Sequence, residues 1–220
     1  MRRRSILLWL WVTQLLLATA AFGQSYKAEA TGTPPPDVPK PLQDMLQAQG
    51  AKLVSDQGAT VAEIWLRKDF PAKQVGATSD VLYGALGDGS VVGVLHFPQD
   101  TADYRAQTIK AGFYTLRHAL IPQDGNHMGV NPYRDALLLA PVAADTEITK
   151  DLSYAEMVSL SRKASGTPHP GFLILAPAKD GQDTPAAFQD DQGHWDLQLK
   201  LHGPGGDLPI AITLVGKFEA

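Results

Sequence analysis

Three of the chain's six histidines fall near one another in sequence, close to acidic residues. His96 is near the end of the apolar run VVGVLHF, and His118 closes GFYTLRH. His127 lies within LIPQDGNHMGVNPYRD, residues 120–135, which also holds Asp124 and Asp135. Imidazole nitrogens and carboxylate oxygens together make a ligand set for zinc, copper or iron. His96, His118 and His127 are therefore candidate ligands for a divalent metal, with Asp124 or Asp135 as a further ligand or general base. The spacing leaves the question open, because no HExxH or other compact ligand pattern occurs. The same stretch also reads as an ordered connection. Gly125 and Gly129 free the backbone, Asp124 and Asn126 suit turns, and Arg134 and Asp135 can pair or hold backbone groups. Long ordered loops are where binding residues concentrate, so a ligand site is expected here first.

Other chemistries have less to stand on. The chain has no cysteine, which excludes disulfides, thiolate catalysis and iron–sulfur clusters. Neither Gly-x-Ser-x-Gly nor Ser-x-x-Lys occurs, and no phosphate-binding glycine loop is present. Asp180, Asp183, Asp190 and Asp191 crowd the segment before Trp195. They suit either calcium or a solvated acidic turn, but EF-hand spacing is missing. Trp65 and Trp195 read as packing residues; exposed on one face, they would stack on a sugar ring.

The elements that must position these residues are mostly strands. Alternating or continuous apolar runs occur at 61–67, 91–97, 112–118, 136–142, 171–176, 194–201 and 210–218. In HWDLQLKL the leucines share one face, and Asp196, Gln198 and Lys200 are predicted to meet water on the other. GDG at 87–89 reads as a hairpin turn. A short helix is predicted from Pro41 to Gln49. A second spans 151–165, with Ser153 and Glu156 as a capping box and Gly166 as its stop. The pattern predicts a mainly β fold: an antiparallel β-sandwich, immunoglobulin-like or jelly-roll-like, with one or two short helices.

The segment KAGFYTL has a structural reading. Gly112 lets the chain turn into a strand, and Tyr114 then points inward and can send its hydroxyl back to loop backbone. AGFYTLRHALIP, with GNHMG and NPYRDALLL after it, resembles uncharacterised exported bacterial β-sandwich proteins of unknown function that carry an AGxYxL strand motif. The resemblance covers about 30 residues and implies export and a sandwich, with no assigned activity and no catalytic residue.

The N-terminus, MRRRSILLWLWVTQLLLATAAFGQ, has a basic head, a short apolar core and small residues before Gln24. This is the pattern of a secretory signal peptide at 1–23. A proline-rich tether at 24–41 and one domain at 42–220 are expected to follow. The general secretory route would deliver the protein to the periplasm or the medium. The net charge is −4, and removing the signal would also remove Arg2, Arg3 and Arg4. An acidic domain without a basic run disfavours nucleic acid as a partner. The reading is a soluble binding or structural protein of the cell envelope, with an envelope protein or glycan as partner and no cofactor. The alternative is a secreted metal-dependent hydrolase or oxidoreductase built on the 118–135 loop.

Overall fold

The computed structural model describes residues 24–70, 78–124 and 131–216. The expected signal peptide and His127 lie outside them. The elements in chain order are β1 (Tyr26–Thr31), α1 (Lys40–Gln43), β2 (Gly50–Ser55), β3 (Thr60–Leu66), β4 (Val91–Phe97), β5 (Thr101–Ala102), β6 (Thr108–Ile109), β7 (Gly112–Leu120), β8 (Asp135–Pro141), α2 (Tyr154–Ser165), β9 (Phe172–Ala176), β10 (Ala186–Gln189), β11 (Trp195–Gly203) and β12 (Gly206–Val215), with a 3-10 turn at Gly84–Leu86.

Ten strands form one sheet in the order β1-β2-β3-β4-β7-β8-β9-β12-β11-β10, while β5 and β6 pair separately. All described pairings are antiparallel. The mainly β, antiparallel character is as the sequence predicts. The division into two stacked sheets is not found. Phe172–Ile174 of β9 pair with β8, and Leu175–Ala176 pair with β12, so hydrogen bonding passes through β9 without a break. The sheet curls until its two end strands, β1 and β10, lie side by side. Side chains close this near-barrel at the seam, where the rings of Tyr26 and Trp195 meet edge-on at 5.5 Å.

Alternation fills the interior. Tyr114 and Leu116 of β7, Leu137 and Leu139 of β8, Leu197, Leu199 and Leu201 of β11, and Ile210, Ile212 and Leu214 of β12 form one apolar cluster. Strand β8 shows no alternation in its sequence because both its faces are covered. On its outer side Met157 of α2 packs with Leu138, Phe172 and Ile174. The predicted capping box of Ser153 and Glu156 and the left-handed Gly166 bound α2.

Three local expectations are corrected. The tether is not free: Tyr26–Thr31 pair with β2, and Val38 is buried in the cluster that holds Trp65 and Val94. The helix predicted to Gln49 stops at Gln43, because the chain is drawn back onto β3, with Leu46 bridging Arg67 and Gln47 N donating to Leu66 O. GDG forms no hairpin. Gly87 closes the 3-10 turn, and Gly89 N donates to His118 O.

Candidate functional site

Among the described residues the structure brings the candidate ligands His118 and Asp135 together and sets His96 apart from them. His96 sits directly opposite Phe113 on the β4–β7 ladder, and His118 lies five residues further along β7. That places the two imidazoles roughly 16 Å apart along the strand, on opposite faces. His96 Nδ1 lies 2.8 Å from Glu63 Oε2, and its ring stacks on Phe113 at 4.2 Å. His118 points into the barrel. Its Nε2 is 3.0 Å from Asp135 Oδ1, and its Nδ1 donates to Gly87 O at 3.2 Å. Asp135 also accepts from Leu82 N at 2.6 Å and Tyr83 N at 3.0 Å, which clips the loop carrying the 3-10 turn to the barrel end. His118 and Asp135 thus hold backbone in place, with 1% and 0% of their side chains exposed. Asp124 is exposed at the margin of the described residues.

The residues singled out for structure also have clear places. Gly112 has a φ of 148°, a left-handed value that favours glycine. Tyr114 is buried and donates its hydroxyl to Lys110 O at 2.7 Å. Trp65 is buried and donates Nε1 to Gly32 O, while Trp195 is half-buried beside Tyr26. Trp65 therefore provides no bare stacking face.

One polar centre on the outer face of β7 is fully satisfied. Arg117 binds Asp145 through Nε at 2.8 Å and Nη2 at 2.7 Å. Its remaining donors reach Gly89 O, Lys150 O and Glu147 O. Thr115 Oγ1 donates to Asp145 as well, at 2.5 Å. Every guanidinium N–H has an acceptor, so this centre fastens the 143–153 loop over the barrel and has no group left for a ligand.

A second outer-face centre is not satisfied. Asp196 of β11 was expected to face water but is 0% exposed, as the connection between β9 and β10 folds over this face. Gln198 fastens that connection, accepting from Lys179 N at 2.8 Å and donating to Lys179 O at 2.9 Å. Thr213 Oγ1 of β12 donates to Asp196 Oδ1 at 2.6 Å. Asp196 Oδ2 is buried with no hydrogen-bond partner among the described residues. Burial pushes this carboxyl above the usual carboxylate range. The Thr213 hydrogen bond pulls it back, and the charge of Asp190 pushes it up further.

In front of Thr213 is a cleft of about 280 Å³, walled by Tyr104, Asn131, Tyr133, Asp190 and His194. Its parts are positioned by local chemistry. Asp190 accepts from Gln192 N and His194 N, which shapes the β10–β11 turn, and its Oδ2 lies 2.9 Å from His194 Nδ1. The chain passes the His194 ring at Gly216, where a Cβ would stand 2.2 Å from Cδ2. Tyr104 rides on the turn between β5 and β6, its ring edge-on to His194 at 5.5 Å. The buried carboxylate of Asp103 fixes that turn, accepting from Arg105 N, Gln107 N, Gln107 Nε2 and Phe172 N. This holds Ala106 at a φ of 60°, which L-residues rarely adopt. Burial, then the charges of Asp190 and Asp196, push the Tyr104 hydroxyl above its ordinary range.

A larger groove of about 540 Å³ opens at one mouth of the barrel, against Ala51, Ile64, Leu66 and Leu199. Part of its polar rim is engaged. Gln47 Nε2 donates to Arg67 O and Lys200 O, and Asp207 pairs with both Lys200 and His202. Size favours this groove, but unsatisfied polar chemistry favours the smaller cleft.

Sequence reasoning noticed Asp190, Asp191 and Asp196 for other reasons and passed over Tyr104 and His194. The usable signal was His194-x-Asp196 entering an alternating strand, which sets both side chains on one face, with Asp190 in the turn before. Comparison of the chain with protein-family models, curated proteins and solved structures found no match.

Proposed function

We propose that this chain is an exported binding protein of the cell envelope or medium, which holds a small polar ligand in the Tyr104–Thr213 cleft without turning it over. The observation that carries the reading is Asp196 Oδ2, buried without a partner among the described residues, on a carboxylate whose other oxygen accepts from Thr213 in the wall of a preformed cleft. An unpaired buried carboxylate oxygen is costly, and a fold keeps one where something else completes it. His194 and Asp190 are committed to shaping the turn, which supports binding over acid–base work. Export rests on the basic head and short apolar core of residues 1–23. In the alternative, a metal-dependent enzyme built on the 118–135 loop, His96 would not join His118 at one ion, because the β4–β7 register sets them on opposite faces.

Amide NMR of the purified protein, screened against mixtures of small polar metabolites, tests this reading. The expected hit shifts Tyr104, Tyr133, His194 and Thr213 together. Hits confined to the barrel-mouth groove around Leu66 and Leu199 would replace the cleft as the site.

A further inference from the structure

Independently of the cleft, we infer that the groove at the barrel mouth is a second site, for a free fatty-acid carboxylate whose chain enters the open seam of the barrel while its head meets the cationic rim at Lys68. The first argument is the seam. Strands β1 and β10 end the sheet and lie side by side, and no ladder joins them among the described residues. The rings of Tyr26 and Trp195 close one end. At the other end Ala30 of β1 and Pro185, just before β10, both border the groove. Alternation gives Tyr26, Ala28 and Ala30 the same inward face. Tyr26 and Ala28 pack against the core, yet Ala30 is exposed. The barrel wall is therefore open at an inward-facing position.

The second argument is the floor. Ala51, Ile64, Leu66 and Leu199 line the groove and belong to the interior apolar cluster. A molecule that enters the seam meets the barrel's own core, which rewards an apolar chain. A polyol would set hydroxyls against Ile64 and Leu199 without partners. The volume of about 540 Å³ lies within the range of ligand pockets, and barrel mouths are among the places where such pockets occur.

The third argument is charge. Lys68, Lys200 and His202 line the groove, and among the described residues no carboxylate does. Asp207 engages Lys200 at 3.4 Å and His202 at 2.7 Å. Lys68 is exposed and makes no ion pair among the described residues. It follows Ile64 and Leu66 by the same two-residue step, which sets it at the mouth beside the floor they form. Its ammonium only donates, and a carboxylate only accepts. A cationic head would meet like charge there. An ion pair open to solvent is weak, so the chain supplies most of the affinity and Lys68 sets the sign of the head group.

The test is an amide NMR titration of the purified protein with decanoate, octanoate and decyltrimethylammonium, each below micelle formation. It compares wild type, Lys68→Glu and Ala30→Phe. The expected result is saturable decanoate binding that shifts Ala30, Gly50, Leu66, Lys68 and Leu199 together. Octanoate should bind about tenfold more weakly, because two methylenes fewer are buried. Lys68→Glu alters an exposed side chain; it should weaken decanoate about fivefold and strengthen decyltrimethylammonium. Ala30→Phe fills the seam and should abolish decanoate binding. If decyltrimethylammonium binds wild type as tightly as decanoate, and Lys68→Glu changes neither, the carboxylate is overturned. Decanoate shifts confined to Tyr104, His194 and Thr213, or no saturable shift at all, would overturn the groove as a site. A silent groove does not bear on the cleft, whose own screen reads different amides.

Discussion

Asp145 and Asp196 are both carboxylates sealed beneath loops on the outer face of the same barrel, yet they are built differently. Asp145 accepts from Arg117 Nε, Arg117 Nη2 and Thr115 Oγ1. Among the described residues, Asp196 accepts from Thr213 Oγ1 alone and its other oxygen has no partner. Burial is the same, but at Asp145 the hydrogen-bond inventory closes and at Asp196 it does not. A closed inventory marks a group that fastens the fold. An open one is the feature on which the proposed binding reading rests.

Substitutions can sharpen or break that contrast. The largest effect is expected at the closed centre. Asp145→Ala leaves the Arg117 guanidinium buried and unpaired, and should cost about 3–5 kcal/mol in urea unfolding. A loss within the range of ordinary surface changes would mean that the pair is not sealed as described. Asp135→Ala removes the acceptor for Leu82 N, Tyr83 N and His118. A loss of about 2–4 kcal/mol is expected, with amide exchange accelerated in the 82–86 loop. Ser153→Ala removes the α2 cap and should cost about 1 kcal/mol by the same unfolding measurement.

The smallest and most telling effect concerns Asp196 and pH. Its carboxyl is held above the ordinary 3.8 by burial, so the native state favours the protonated form. Its contribution to stability is therefore fully present below about pH 4 and is lost as pH rises through the raised pKa. Relative to wild type, Asp196→Asn should gain stability from acid toward neutral pH in paired thermal melts. A gain on acidification instead would mean that Asp196 is stabilised as the ion.

The sequence makes the strand core legible wherever one face is apolar, as in β11 and β12, and it makes α2 legible through Ser153, Glu156 and Gly166. It hides what long-range pairing decides. Strand β1 reads as a tether because its polar YKAEAT gains order only from β2. The curled sheet depends on β9 dividing its pairing between β8 and β12, which no local pattern records. His96, His118 and Asp135 stood out by residue type, but strand register separates the first from the other two. The cleft in front of Thr213 gathers Tyr104, Tyr133, His194 and Thr213 from four separate elements, so only His194-x-Asp196 leaves a local trace.

The most direct measurement is the thermal midpoint of ligand-free Asp196→Asn beside Asp145→Asn at neutral pH. If the bare oxygen is held for a ligand, Asp196→Asn should match or exceed wild type while Asp145→Asn falls by several degrees. Equal destabilisation of the two variants would contradict that account and make Asp196 another fastening of the fold.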